Sequence, residues 1–250
     1  MYPVLFKIGD ISISSYTVML IIGFLAAYSL CIGEFKRKGL GENLLDLIFS
    51  ACVIGGLVGA KVLFLIENVS FNEFIADPMR YLYSGLTALG GFIVVVILFW
   101  IVVRIKNVSF WLATDAMSPI VLTYAIARIG CLLVGDDYGT PTNLPWAMSF
   151  PNGSPPTNEM VHPTQIYEML AMFGIFIYVW KIRKKDMPAG WLSGVILILT
   201  GLERILVEFV RNTSPSFIPG LSVAQLISIG MVIVGLLKLL QLRMQTKRPS

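Results

Sequence analysis

The sequence predicts an all-α integral membrane protein, a single membrane domain over residues 1–250. Hydrophobic residues make up 56% of the chain and charged residues only 14%, and the mean hydropathy is +0.78. This composition is typical of membrane proteins and leaves no room for a soluble domain of useful size. Seven apolar stretches approach the roughly 20 residues that a membrane-spanning helix needs. These predicted transmembrane helices cover residues 16–33, 44–66, 85–103, 110–134, 165–180, 190–210 and 222–240.

The lysines and arginines predict the orientation of these helices. Thirteen of them lie in one set of loops and at the C-terminus, whereas only Lys7, Arg80 and Arg211 lie in the opposite set. Because positive residues accumulate on the cytoplasmic side, the N-terminus is predicted to lie outside and the C-terminus in the cytoplasm. The segment 1–15 mixes apolar and charged residues, and we expect it to lie at the membrane surface without spanning it.

The longest loop on the predicted outer side covers residues 135–164. It is rich in proline and also carries Trp146, Met148 and Phe150, which predict an ordered element on the outer membrane surface. Loops of this length are commonly functional or disordered. The loops on the other side are short and basic, so we expect the functional site to face outward.

The stretch 124–139, YAIARIGCLLVGDDYG, combines an arginine in an apolar segment with a polar end. An arginine at the centre of a bilayer helix costs about 2.5–3.5 kcal/mol, and such residues usually face a polar interior or a ligand. Arg128 is followed by Gly135, Asp136 and Asp137, and its planar guanidinium suits a phosphate. Two interpretations stay open here, a phosphate-binding site and an ion pair that locks two helices together.

The sixth predicted span carries a polar stripe. Thr200, Arg204, Glu208 and Arg211 follow i, i+4, i+8, i+11 spacing and therefore share one helix face. Arg204 lies too deep to be only an end anchor, whereas Arg211 could reach the lipid head groups simply by extending its side chain. Glu208 is predicted to hold one of the arginines.

The segment HPTQIYE predicts a helix start at the outward surface. Pro163 suits the beginning of a helix, which leaves Gln165, Tyr167 and Glu168 in its first turn. His162 is the chain's single histidine, and histidine is the side-chain type that changes charge near neutral pH. A role as a base and a structural role both stay open.

Several of these stretches together resemble the bacterial prolipoprotein diacylglyceryl transferases. ARIGCLLVGDDYGTPT is similar to the signature region of that family, GRIGNFxNGExxG, and VHPTQIYE is similar to its HP[ST]Q[LI]YE motif. GWLSGVILILTGLERILVEFVR with LSVAQLISIGM resembles its last two spans, and SSYTVMLIIGF lies near the N-terminus. The resemblance covers nearly the whole chain, and seven spans with an outer N-terminus match the family's architecture.

The resemblance implies a transferase that needs no cofactor. The reaction would move diacylglycerol from phosphatidylglycerol to the lipobox cysteine thiol of a prolipoprotein signal peptide and release glycerol phosphate. It would take place in the lipid bilayer of the bacterial inner membrane, with the active site facing the outer leaflet. Carried over by position, Arg128 and Arg204 match the family's essential arginines, Tyr16 its N-terminal tyrosine and Glu208 its span-six glutamate.

The chain also departs from the family pattern. The family's FHGG reads Ala88-Leu89-Gly90-Gly91 here, so Leu89 stands where the family has its functional histidine. The other replacements are Cys131 and Val134 for asparagines, Asp136 for a glutamate and Thr200 for a tyrosine. Because a thiol with a pKa near 8.5 is only a few per cent ionised at pH 7, a base or a positive field must raise that fraction. His162, Asp136 and Asp137 are the candidate bases.

The predicted site therefore has two groups of residues. The predicted catalytic residues are Arg128, Arg204, His162 and Asp136. The predicted substrate-binding residues are Tyr16, Gly90, Gly91, Gly135, Asp137, Gly139, Gln165, Tyr167, Glu168, Thr200, Glu208 and Arg211.

Other functions are weighed against this one. A paralogue that uses another acceptor and a non-catalytic phospholipid- or lipoprotein-binding protein both stay open. A transporter is disfavoured, because the paired repeats and broken midplane helices typical of transporters are not seen in the sequence. Nucleic-acid binding has no support, since membrane topology explains the basic clusters. No spacing of histidines and cysteines predicts a metal site.

Overall fold

The structure is a computed structural model that describes residues 1–9, 11–82, 85, 87–211, 216 and 218–246. Ten helices and four short strands occur in the described part of the chain. In chain order they are β1 (Val4–Ile8), β2 (Ile11–Ser14), α1 (Ser15–Arg37), α2 (Glu42–Asn68), α3 (Phe71–Ala76), α4 (Pro78–Leu82), α5 (Ala88–Ile105), α6 (Phe110–Ala116), α7 (Ile120–Val134), β3 (Met148–Phe150), β4 (Thr157–Val161), α8 (Thr164–Ile182), α9 (Trp191–Glu208) and α10 (Val223–Thr246).

The long helices are those of an integral membrane protein. Among the described residues, α1, α2, α8 and α10 are each long and apolar enough to cross a bilayer, and a fifth span results if Leu89–Ile105 and Phe110–Ala116 count as one broken span. The shorter α7 is also apolar, and the 18-residue α9 carries three charged residues. The class is thus confirmed, while the count of seven spans and the orientation stay predictions.

One prediction about local structure is wrong. The fourth predicted span, residues 110–134, is not one helix: it divides into α6 and α7 at a turn that ends with Pro119. Proline has no N–H to continue a helix and its ring clashes with the preceding turn, so it fits only at the start of the second piece. Two short antiparallel hairpins accompany the helices without changing the class, β1 with β2 in the N-terminal segment and β3 with β4 in the loop 135–164.

The chain divides into two compact units, residues 32–113 and residues 1–31 with 114–250. In the first unit α2 packs against α5. A Cβ on Gly90 would collide with the carbonyl oxygen of Gly59, and one on Gly91 would lie 2.8 Å from that of Gly56. These glycines therefore permit a close helix crossing of the kind common in membranes.

The second unit holds α7, α8, α9 and α10, which pack in sequence order. The buried carboxylate of Asp115 accepts hydrogen bonds from the backbone N–H groups of Gly190 and Ser193, at 2.8 Å each, and from the Ser193 hydroxyl at 2.5 Å. A carboxylate in this position satisfies N–H groups at the start of α9 that have no partner within the helix. Asp115 thereby fixes the helix that carries the predicted polar stripe.

Helix α1 joins this unit through its N-terminal half. Thr123 donates to the carbonyl of Gly23 at 2.9 Å, and a Cβ on Gly130 would lie 2.8 Å from the Cα of Tyr16. The backbone at Tyr16 therefore touches α7 half a turn beyond Arg128. The N-terminal hairpin is tied to the same helix, because the N–H of Tyr2 donates to Leu133 at 2.9 Å.

Candidate functional site

A buried carboxylate on α8 is the meeting point of the charged residues. Glu168 is 0% exposed. Arg128 from α7 contacts its carboxylate through Nε, and Arg204 from α9 contacts it through Nη1. The Nη1 of Arg211, just beyond α9, lies 3.1 Å from the same oxygen that Arg204 contacts. We call Arg128, Arg204, Arg211 and Glu168 the guanidinium cluster.

Two further carboxylates surround this cluster. Asp137 lies 2.8 Å from Arg128 through Oδ2 and 2.5 Å from Arg211 through Oδ1. Glu208 lies 3.0 Å from Arg204, as the sequence predicts, and accepts a hydrogen bond of 2.6 Å from Ser222. Each guanidinium is thus oriented by two carboxylates. These are the ion pairs that the helix-locking interpretation of Arg128 expects, and phosphate binding by Arg128 stays a prediction.

Charge and burial shift the pKa values of Asp137 and Arg211, two charged residues that contact each other at the cluster. Burial acts to raise the pKa of Asp137, but the guanidinium groups of Arg211 and Arg128 outweigh it, and the pKa lies below its usual value. Burial acts to lower the pKa of Arg211, and Asp137 and Glu168 reverse this and raise it. The side chain of Arg211 is only 10% exposed. Arg211 is therefore a member of the cluster, and the simpler interpretation of an arginine reaching into head groups is wrong.

The residues between α7 and β3 bring the partners together. Gly135 ends α7 in the left-handed conformation, with φ +76°, and its N–H donates to Cys131 at 2.8 Å. Gly139 donates to the carbonyl of His162 at 2.8 Å and forms an isolated bridge with Arg211. A Cβ at Gly139 would lie 2.8 Å from the Cβ of His162, so only glycine allows these segments to approach.

The start of α8 holds the same loop from the other side. Gln165 is 0% exposed, and its amide donates to the carbonyl of Asp136. The hydroxyl of Thr164 donates to the carbonyl of Asp137 at 2.6 Å. These contacts hold the loop that positions Asp137. Direct contact of substrate with Gln165, Gly135 and Gly139 stays a prediction.

Of the two candidate aspartates, Asp136 makes no ion pair with a guanidinium among the described residues. Its Oδ1 is buried and has no hydrogen-bond partner among the described residues. Burial raises the pKa of Asp136, and the charge of Asp137 raises it further. A carboxylate of raised pKa with an unpaired oxygen can accept a proton more readily than an ordinary one.

Possible ligand atoms of Cys131, Asp136 and Asp137 lie within 4.8 Å of one another, although the sequence spacing predicts no metal site. Both oxygens of Asp137 are already paired with arginines. The negative charge of Asp137 is therefore balanced from within the protein.

His162 and Tyr167 lie in a second feature beside the cluster. The indole N–H of Trp146 donates to the hydroxyl of Tyr167 at 2.8 Å, and Nδ1 of His162 lies 3.2 Å from that hydroxyl. These three side chains form part of the wall of a groove with a volume of about 370 Å³, which we call the outer groove. It is lined by Leu144, Trp146, His162, Tyr167, Leu206, Val207 and Val210.

The remaining predicted residues lie elsewhere. The hydroxyl of Thr200 donates to Ile196 within α9 at 2.8 Å, and Tyr16 is 38% exposed at the start of α1. Gly90 and Gly91 lie in the first unit, at the crossing of α2 with α5. Substrate binding by these four residues stays a prediction.

Two neighbours of Arg128 were missed by the sequence reasoning. Nη2 of Arg128 donates to the hydroxyl of Tyr124 at 2.7 Å, and the guanidinium lies 4.8 Å from the centre of that ring. Cys131 lies 3.6 Å from Nη1. Their positions, i−4 and i+3 from Arg128 on one helix, are a signal that could have identified both.

Comparisons with known proteins test the family resemblance seen in the sequence motifs. A family model described as prolipoprotein diacylglyceryl transferase matches residues 3–241. The chain is 33% identical over 242 residues to a phosphatidylglycerol–prolipoprotein diacylglyceryl transferase of Clostridium tetani, covering 94% of this chain and 96% of that protein. It is 36% identical over 253 residues to one of Vibrio cholerae, with 94% and 89% covered. A third, of Coxiella burnetii, is 32% identical over 248 residues, with 93% and 92% covered.

Proposed function

The chain belongs to the prolipoprotein diacylglyceryl transferase family, and from this premise we propose that its guanidinium cluster holds the phosphate of phosphatidylglycerol during transfer. The enzyme moves diacylglycerol to the lipobox cysteine thiol of a prolipoprotein and releases glycerol phosphate. The observation that carries the proposal is the convergence of three arginines on the buried carboxylate of Glu168.

The cluster can bind an anion although carboxylates already contact it. A guanidinium has five N–H donors, more than the contacts to Glu168, Asp137 and Glu208 occupy. The side chains of Arg128 and Arg204 keep 12% and 20% of their surface exposed. The carboxylates thus fix the direction of the donors in advance, which is the condition under which they stabilise charge that develops in a reaction.

The proposed step exchanges one bond for another. The acceptor sulfur bonds to the glycerol carbon that carries the phosphate, and the bond from that carbon to the phosphate oxygen breaks. The electron pair leaves with glycerol phosphate, where the guanidinium groups stabilise it. Asp136 accepts the thiol proton, since its pKa is raised and its Oδ1 is unpaired, whereas the lowered pKa of Asp137 makes it a weaker base.

The finer topology is part of the proposal. Seven spans with an outer N-terminus follow from the apolar stretches and from the distribution of lysine and arginine. In this arrangement the cluster, at the end of α7 and the start of α8, faces the outer leaflet of the bacterial inner membrane. The acceptor is then the signal peptide of a prolipoprotein, reached from the outer side.

The test is transfer from labelled phosphatidylglycerol to a lipobox peptide by the purified protein in micelles. Arg204→Lys keeps the charge but loses the planar fork, so we expect roughly a hundredfold fall in kcat/KM, and a larger fall for Arg204→Ala. Arg243→Lys, at an exposed position near the end of α10, is the matched control and should keep full activity. Full activity in Arg204→Ala would contradict the role of the cluster.

One observation favours a second candidate. Leu89 stands where the family pattern has a histidine, which is consistent with a protein that binds the lipid without transferring it or that uses another acceptor. The same assay separates the candidates. Saturable binding of phosphatidylglycerol without transfer to the peptide would favour this second function.

A further inference from the structure

The outer groove differs in chemistry from the guanidinium cluster beside it. No aspartate, glutamate, lysine or arginine is among its lining residues, and most of its wall is apolar. An anionic phosphate would lose its hydration there without gaining a charged partner. The groove therefore suits an uncharged, mostly apolar ligand.

Three side chains give this apolar wall one directed polar group. The hydroxyl of Tyr167 accepts the indole N–H of Trp146, so its own proton is available for Nδ1 of His162, 3.2 Å away. With this direction of the hydrogen bond, Nδ1 of His162 is the acceptor and the ring N–H lies at Nε2. His162 then offers a donor to a carbonyl oxygen of the ligand.

The position of the outer groove along α9 indicates which substrate binds in it. Leu206, Val207 and Val210 lie between Arg204 and Arg211 along the chain, so the groove and the arginines occupy the same level of α9. Leu206 and Val207 are about 3–5 Å along the axis from Arg204, given the rise of a helix. The acyl chains of a lipid whose phosphate contacts these arginines extend away from that level into the hydrocarbon.

We propose that the outer groove binds the segment of the acceptor signal peptide next to its cysteine, with the N–H of His162 donating to a backbone carbonyl. The residues of a signal peptide before its cleavage site are apolar and then small, which matches a shallow apolar groove. A backbone carbonyl there needs a donor once water is displaced. This inference rests on the proposed function, because it assigns the second substrate of the same reaction.

The test compares two leucines on one helix. Leu206 lines the groove and is 67% exposed, and Leu202, one turn earlier, is 44% exposed and does not line it. Tryptophan can therefore be introduced at either position with little effect on folding. Binding is measured by the anisotropy of a fluorescent lipobox peptide in micelles free of phosphatidylglycerol, and the KM for each substrate is measured separately.

We expect Leu206→Trp to weaken peptide binding roughly tenfold, because the larger ring fills the groove, while Leu202→Trp leaves it unchanged. The KM for phosphatidylglycerol should stay the same in both. Removing the donor with His162→Phe should also weaken peptide binding, by less than Leu206→Trp does.

Three results would overturn the proposal: no peptide binding by the natural sequence, unchanged binding in both Leu206→Trp and His162→Phe, or a raised KM for the lipid alone in Leu206→Trp. The last result would mean that the groove holds an acyl chain. Peptide that binds in the groove but is never lipidated would instead refute the proposed function and leave this inference intact.

Discussion

The guanidinium cluster and the outer groove use two neighbouring faces of the same helix end. Arg204, Glu208 and Arg211 follow one face of α9 and its extension, and Leu206, Val207 and Val210 follow the next. One region is charged and held by ion pairs to a fully buried carboxylate, whereas the other has no formal charge. Under the two proposals above, neighbouring faces of one helix end discriminate an anionic ligand from a neutral one without a separate domain for each.

The largest expected effect comes from the shared carboxylate of the cluster. Glu168→Gln leaves three guanidinium groups with two carboxylates, so their mutual repulsion is no longer balanced. Breaking a buried ion pair by removing one partner costs about 3–5 kcal/mol. Thermal unfolding in micelles measures the loss, with Glu159→Gln, an exposed glutamate on β4, as the matched control. Equal melting temperatures for the two variants would contradict the central role of Glu168.

The next prediction distinguishes the role of Asp136 as the base from the role of His162 in the outer groove. We expect Asp136→Asn to lower kcat by roughly 10²–10⁴-fold, the range typical of general acid–base catalysis, and His162→Phe to change only the KM for the peptide. Because burial and Asp137 raise the pKa of Asp136, the acidic limb of the pH–rate profile should lie above the usual aspartate value of 3.8. That limb should vanish in Asp136→Asn. If it vanishes in His162→Phe instead, the histidine is the base.

The smallest effect concerns Asp137, which pairs with Arg128 and Arg211, and the pH dependence of its contribution to stability. The pKa of Asp137 is lowered in the folded protein, so its ion pairs stabilise the fold above the usual value of 3.8 and are lost as the pH falls through the folded pKa. Asp137→Asn should therefore lower the melting temperature at pH 7, by less than Glu168→Gln does, and the difference from the natural sequence should shrink below about pH 4. A difference that grows at low pH would contradict this sign.

Much of the site could be predicted because its signals are local. Arg128 and Arg204 are charges inside apolar stretches, and the cost of such charges in lipid points to a polar site wherever they occur. The pairing of Arg204 with Glu208 follows from i, i+4 spacing on one helix. The break between α6 and α7 could also have been predicted, because Pro119 lies inside the apolar stretch and proline interrupts a helix.

The wrong or missing predictions concern contacts between distant residues. Arg211 follows the last turn of α9 and could have pointed into solvent, but Glu168, 43 residues earlier, and Asp137 capture it. Tyr167 and Trp146 are 21 residues apart, and no spacing rule predicts their hydrogen bond. No local pattern around Gly139 predicts its close approach to both His162 and the backbone just beyond α9.

The sequence by itself determined the membrane class, four helices of spanning length among the described residues and the arginines that need a polar environment, because hydrophobicity and charge act residue by residue along the chain. The tertiary structure decided that three arginines share one buried carboxylate, that Asp136 keeps an unpaired oxygen, and that His162 faces a neutral groove. These features depend on which helices pack side by side, and that packing is set by shape and close approach summed over the whole unit rather than by any local pattern.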